Sequence, residues 1–183
     1  PEFALNRWSV AAFNEMWFRK APKRRVDELQ TIATFFHPLD GVNDWNYIYG
    51  KRGFLQYQVI VPDGHEDVLR RLLEQFADSR SPVFLAVLKR FGPEGPSPIN
   101  FGLKGWTLAL DIPTDVPGLS ALLDGMDEDV AAAGGRIYLT KDSRMSPETF
   151  RAMYPKAKEF AVVRDRVDPE RKFRSDLSER LGL

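Results

Sequence analysis

Apolar side chains recur along this chain with two periods, near 3.6 and near 2, and the switches between them divide it into elements. Leu5, Trp8, Ala12, Phe13, Met16 and Trp17 fall at helical spacing and predict a helix over 4–20. Lys20-Ala21-Pro22 ends it, because proline cannot continue the hydrogen-bond ladder. Residues 28–36 alternate and are rich in β-formers, which predicts a strand that would extend a sheet. Residues 37–52 hold two Gly, two Asp and two Asn among aromatics and read as a long functional loop.

From Phe54 the pattern becomes regular. A strand is predicted at 54–61, a helix at 65–79 with Val68, Leu69, Leu72, Leu73 and Phe76 on its apolar face, and a strand at 82–90. Three prolines in 93–98 mark a loop. A strand at 105–112, a helix at 116–133 closed by Gly134-Gly135, and a strand at 136–140 follow. This order is β-α-β-β-α-β. It predicts an α+β domain with the split, ferredoxin-like layout: an antiparallel sheet with helices on one face, plus an N-terminal helix and a helical C-terminal tail. In the tail, Ser146 is a good N-cap with Pro147 at N1 for a helix at 147–153; another is predicted at 156–166, and Ser175 can cap a last one.

Composition narrows the picture modestly. The 183 residues fit one domain, and 43% hydrophobic content suffices for a core. Lys plus Arg equals Asp plus Glu at 26 each, so net charge points to neither nucleic acid nor an anionic membrane. The run Lys20-Ala21-Pro22-Lys23-Arg24-Arg25 is either a solvated loop or a phosphate or lipid-headgroup patch. With no cysteine there is no disulfide, thiolate metal site or cysteine nucleophile. No run approaches the ~20 apolar residues of a transmembrane helix. The first residue, Pro1, reads as a start within a longer protein.

Motifs for a dinucleotide fold, a Walker loop, a zincin or a nucleophile elbow do not occur, and two histidines, His37 and His65, argue against a zinc cluster. The hard chemistry is therefore assigned to a cofactor held mostly elsewhere. Lys141 follows the last strand. It is either an exposed lysine beyond an edge strand or a fixed cation beside developing negative charge. Tyr138, three residues earlier, lies on the opposite face unless the strand breaks near Thr140, as the turn-like Asp142-Ser143 suggests; it is a pocket or a core tyrosine. Gln56 and Gln58 share a face that is either solvated or part of a polar pocket. Leu85, Val87, Lys89 and Phe91 also share one, with Lys89 either the charged end of an apolar wall or a strand-end lysine snorkelling to water. His37 begins the long loop as a general base or a pocket wall. Trp45, Tyr47 and Tyr49 within that loop suit a lid or a satellite hydrophobic cluster.

Four segments, in order, carry a family resemblance: Ala4-Leu5-Asn6-Arg7-Trp8 with Ala11-Ala12-Phe13-Asn14-Glu15; Phe36-His37-Pro38-Leu39-Asp40; Gly53-Phe54-Leu55-Gln56-Tyr57-Gln58; and Arg136 to Arg144 through the Asp168-Pro169 turn to Asp176. Together they resemble the C-terminal half of FAD-linked oxidases of the vanillyl-alcohol-oxidase superfamily, most of all the decaprenylphosphoryl-β-D-ribose oxidases. The resemblance implies a substrate-binding (cap) domain over 1–145 and a helical segment, 146–183, that docks on an FAD-binding domain with no counterpart here. It implies Lys141 and Tyr138 as catalytic and flavin-contacting residues, and Gln58, His37, Lys89, Leu85, Val87, Phe91 and Thr107 as a substrate wall. Thr107-Leu108-Ala109 departs from the Asn-Ile-Cys of the mycobacterial enzymes, which leaves substrate identity open.

The implied activity is FAD-dependent oxidation of a secondary hydroxyl of a lipid-linked sugar, decaprenylphosphoryl-ribose at its 2′ position, with a separate reductase completing the epimerisation. An aldonolactone oxidase of the same superfamily, or a non-catalytic ferredoxin-like binding module, are the alternatives. FAD is expected in the complete protein and not on this stretch alone. The other expectations are a lipid-linked or small sugar substrate, no nucleic acid, self-association through uncovered apolar faces, and a cytoplasmic or peripheral inner-membrane location.

Overall fold

In the computed structural model, residues 7–37, 53–79, 81, 83 and 85–183 are described. The elements in chain order are α1 (Arg7–Lys20), α2 (Ile32–Phe36), β1 (Phe54–Pro62), α3 (Glu66–Asp78), β2 (Leu85–Phe91), β3 (Gly105–Pro113), α4 (Leu119–Ala132), β4 (Arg136–Ile137), α5 (Pro147–Met153), α6 (Ala157–Val167) and α7 (Asp176–Leu181). The four strands form one sheet in the order β2-β3-β1-β4 with every pairing antiparallel. This is the split β-α-β-β-α-β arrangement expected from the alternation of periods. α3 and α4 each cross over between strands that are not sheet neighbours, with β3 inserted between β1 and β2 and β4 added on the other side of β1.

Odd positions of β1 and even positions of β3 face the helices. Tyr57, Val59 and Val61 meet Leu108, Leu110 and Ile112 beneath Leu69, Leu72 and Phe76 of α3 and Leu123, Met126 and Val130 of α4. The α3 side chains recur every three to four residues, so one stripe covers the sheet, while Leu73, off that stripe, is exposed. Burying a side chain of this size contributes roughly 1.5–3 kcal/mol against leaving it in water. Two glycines then let β4 reach the edge. Gly134 takes φ +69 past the end of α4, and a Cβ on Gly135 would sit 2.5 Å from the carbonyl oxygen of Ile60.

The tail helices join the same core. Ser146 caps α5 by accepting a hydrogen bond from the Thr149 N–H (3.0 Å), and Ser175 and Ser178 form a reciprocal capping box on α7. Phe150, Met153, Tyr154 and Leu181 are all buried against the sheet and α4. Phe150 and Met153 are therefore not part of an outward docking face of the tail. They are instead needed at home, because α5 closes the end of the core below α4. Val162, Val163, Val167 and Phe173 do remain exposed. Asp168 closes the turn expected at Asp168-Pro169 by accepting from the Lys172 (2.8 Å) and Phe173 (3.0 Å) N–H groups.

One element differs from its prediction. Residues 28–36 form no strand; Ile32–Phe36 is a short helix whose N-cap, Thr31, accepts from the Thr34 N–H at 3.1 Å. A local side-chain cap satisfies the backbone there, and no sheet edge supplies the hydrogen bonds that β-rich composition alone cannot. The expected loop beyond His37, with its lid aromatics Trp45, Tyr47 and Tyr49, lies outside the described residues. No helix among the described residues is long and apolar enough to cross a membrane.

Candidate functional site

The face of the sheet turned away from the helices collects most of the residues singled out from the sequence. Register places Leu85 opposite Asp111, Val87 opposite Ala109, Lys89 opposite Thr107 and Phe91 opposite Gly105. It also places Gln56 opposite Asp111, Gln58 opposite Ala109 and Ile60 opposite Thr107. Side chains directly opposite share a face, so these residues form continuous rows across β2, β3 and β1. On β4, Arg136 extends the Ile60 row, and the Tyr138 N–H donates to the Gln58 carbonyl at 2.9 Å, adding Tyr138 beside Gln58.

Polar groups on this face are paired with one another. Gln58 Nε2 donates to Thr107 Oγ1 (3.0 Å), and Gln56 Nε2 to Asp111 Oδ1 (2.8 Å). Gln58, Thr107 and Asp111 are all buried. The 92–104 loop folds onto the same face. Phe101 packs against Tyr138 (ring centroids 4.6 Å apart) and edge-on to Phe91 (6.0 Å). Arg136 holds the loop to β4: its guanidinium pairs with Glu94 (2.8 Å), donates to the Asn100 carbonyl, and lies over the Tyr154 ring. The hydrogen bond from Arg136 holds the Glu94 carboxyl below the ordinary range.

The strand break anticipated near Thr140 occurs sooner. β4 ends at Ile137, and the Lys141 N–H donates back to the Tyr138 carbonyl at 3.0 Å, closing a turn. In a β-turn the first and fourth Cα atoms lie within about 7 Å, whereas three strand residues would carry them roughly 10 Å apart. Tyr138 and Lys141 are therefore brought together at the edge of the polar sheet face. Among the described residues neither Lys141 nor Lys89 forms an ion pair. His37 is placed elsewhere among the described residues. It C-caps α2 and lines a cavity of about 1030 Å³ with Trp17, Lys20, Arg24 and Thr34, to which no sheet residue contributes.

A network that the sequence did not reveal holds the turn from beneath. Tyr57 Oη donates to Asp127 Oδ1 (2.8 Å), and Arg144 bridges Asp127 and Asp124. Burial pushes the Asp127 carboxyl up to about 6 despite the opposing pull of Arg144 and Tyr57. The Tyr57 hydroxyl is raised well above its usual value, first by burial and then by the Asp127 charge. On the other side Asp142 accepts from the N–H groups of Arg144 (3.1 Å) and Met145 (3.0 Å) and pairs with Arg180 (2.8 Å). Its partner is 38 positions away, so no local pattern announces it. The only sequence signal is the turn-like Asp142-Ser143.

A lysine, a phenol, an amide and a threonine hydroxyl on β3, β1 and the turn after β4 suit a hydroxylated ligand. They supply hydrogen-bond partners and one positive charge, without a nucleophile or a metal-ligand set.

Known proteins agree with the resemblance read from the sequence. The D-arabinono-1,4-lactone oxidase family matches residues 112–181, from the end of β3 through α4, β4 and the turn to the tail helices. Over all 183 residues the chain is 38% identical to the C-terminal part of a decaprenylphosphoryl-β-D-ribose oxidase from Mycolicibacterium smegmatis, covering 39% of that protein. It is 41% identical to an uncharacterised protein in the mprA 5′ region of Streptomyces coelicolor, again over the whole chain and 49% of that relative. The chain thus spans less than half the length of these curated relatives.

Proposed function

We propose that this chain is the substrate-binding part of an FAD-dependent oxidoreductase that oxidises a secondary hydroxyl of a lipid-linked sugar to a ketone, with decaprenylphosphoryl-ribose and its 2′-hydroxyl as the favoured substrate. The observation that carries the reading is the Tyr138–Lys141 turn, which sets an unpaired cation among the described residues beside a tyrosine at the edge of a polar sheet face. Similarity along the whole of this chain to the C-terminal part of a decaprenylphosphoryl-ribose oxidase supports it. The flavin, once bound, supplies the two-electron acceptor: the alcohol carbon gives up a hydride and its hydroxyl a proton.

The roles of the chain's own residues follow from their chemistry. Lys141 supplies a preorganised positive charge where negative charge develops during hydride transfer. Tyr138 and Gln58 orient the sugar hydroxyls; the Gln58–Thr107 hydrogen bond holds the amide in one rotamer so that its carbonyl oxygen is presented as an acceptor. Leu85, Val87 and Phe91 line an apolar wall, and Lys89 at its end suits the phosphate of a lipid-linked sugar.

A second reading has an observation of its own. The family match over 112–181 is to D-arabinono-1,4-lactone oxidase, so a free aldonolactone is the alternative substrate class. The two are separated with the full-length protein under anaerobic conditions, following flavin bleaching with a short-chain polyprenylphosphoryl-ribose or with D-arabinono-1,4-lactone. Bleaching by the former alone supports the lipid-linked substrate. Bleaching by the lactone alone replaces it, and bleaching by neither overturns both. In the same protein Lys141→Ala should lower turnover about 100-fold or more, the effect of removing one preorganised electrostatic group. Turnover within about threefold of wild type would return Lys141 to the role of a surface lysine.

A further inference from the structure

The turn that carries Lys141 leaves the sheet at Tyr138, so beyond that point its shape is set by what grips it from outside. Most of the grip comes from one side chain near the far end of the chain. Arg180 Nη2 donates to Asp142 Oδ2 at 2.8 Å and more weakly to the Asp142 carbonyl at 3.4 Å, while Nη1 donates to the Met145 carbonyl. The Asp142 carboxylate, 3% exposed, spends its other oxygen on the Arg144 and Met145 N–H groups. Arg180 is itself well placed. It sits on α7, whose start is fixed by the Ser175–Ser178 capping box and whose Leu181 is buried in the core. The planar fork of a guanidinium is what lets one side chain hold a carboxylate and a backbone carbonyl together.

We infer that Arg180 is a positioning residue for Lys141: by bridging Asp142 and Met145 it locks the turn, so that the lysine ammonium is held in one place before ligand binds. The inference rests on the role proposed for Lys141 and extends it to a residue on α7 that grips the turn through Asp142 and Met145. Without Arg180, Asp142 loses its counter-ion and the turn loses two of its carbonyl anchors. A displacement of about 1 Å in a catalytic group can cost on the order of a hundredfold in rate. Substrate affinity need not change, because Arg180 acts on the turn through Asp142 and Met145.

The test uses the full-length FAD-bound oxidase with Arg180→Leu, Arg180→Lys, Lys141→Ala and the Lys141→Ala/Arg180→Leu double variant. Turnover and KM, the affinity of the flavin for sulfite (which reports a cation held near the ring) and amide exchange over residues 139–145 are measured for each. Arg180→Leu should lower kcat about tenfold or more with KM within about threefold of wild type, weaken sulfite binding and speed exchange across the turn. Arg180→Lys should restore part of each loss. In the Lys141→Ala background the Arg180 substitution should cost less than about twofold, because the two residues act as one unit.

An equal cost in both backgrounds, or wild-type turnover with unchanged exchange, would overturn the inference while leaving the Lys141 reading intact. Lys141→Ala with near wild-type turnover would overturn that reading, and the inference with it, whatever Arg180 does. If Arg180→Leu does not fold, Arg180→Lys carries the test: it keeps the charge on Asp142 and loses the second arm to Met145, so a smaller loss in the same direction is expected, and none would count against the clamp.

Discussion

Asp127 lies buried under the turn with one oxygen taken by Tyr57 and the other by Arg144. Its carboxyl is raised to about 6 from an ordinary 3.8, because the cost of burying the charge exceeds what its partners return. The folded state therefore binds this proton more tightly than the unfolded state. The stabilisation is fully present below about pH 4 and is lost as pH rises through about 6, by roughly 3 kcal/mol at most. Wild type should lose stability relative to Asp127→Asn between pH 4 and pH 7 in urea unfolding. A difference that stays constant across that range would mean that Asp127 is charged in both states. Lys141 asks for a different measurement, since the role proposed for it is electrostatic and its removal should then change turnover rather than folding.

At the scale of elements, the short strand β4 depends on what surrounds it more than on its own two residues. Tyr154, at the end of α5, donates from Oη to the Ile137 carbonyl at 2.6 Å, and burial is the main cause of the raised ionisation point of its hydroxyl. Tyr154→Phe removes the donor and leaves a buried carbonyl unpaired, so it should cost about 1–3 kcal/mol in chemical denaturation. A loss below about 0.5 kcal/mol would show that another donor takes over. Residues 28–36 illustrate the converse. Their β-rich composition was readable, but a strand also needs a neighbour. The Thr31 cap, a contact three residues long, was enough to make a helical turn of them.

For the molecule as a whole, the sheet core and the N-terminal segment differ sharply. No residue of α1 or α2 enters the core cluster, and Trp8, Phe13, Met16, Trp17, Phe18, Ile32, Phe35 and Phe36 are all exposed. With Val162, Val167 and Phe173 in the tail, this is more apolar surface than a monomer usually leaves in water. The chain on its own should self-associate with rising concentration in sedimentation velocity. Strictly monomeric behaviour at high concentration would favour a stand-alone binding module over a part of a larger oxidase. The same chain should bind FAD weakly, since no glycine-rich anion cradle occurs in it. A flavin absorption band surviving dialysis would refute that expectation.

The alternation of periods from Phe54 onward was sufficient to specify the β-α-β-β-α-β order, the helix-facing core and the capped tail helices, because those features follow from which side of a repeating backbone each side chain occupies. Spacing also put Gln56 with Gln58, and Leu85 with Val87, Lys89 and Phe91, on common strand faces. What spacing could not decide is which strands are neighbours. Only the order β2-β3-β1-β4 turns two separate faces into one continuous wall and seats Tyr138 beside Gln58. The burial of Phe150 and Met153 likewise depends on where α5 docks. The polar pairs around the 138–145 turn are the clearest case: Asp142 with Arg180, and Asp127 with Tyr57 and Arg144, are charges and hydroxyls far apart in the chain. Long-range polar pairs carry no period, so only the folded chain brings them together.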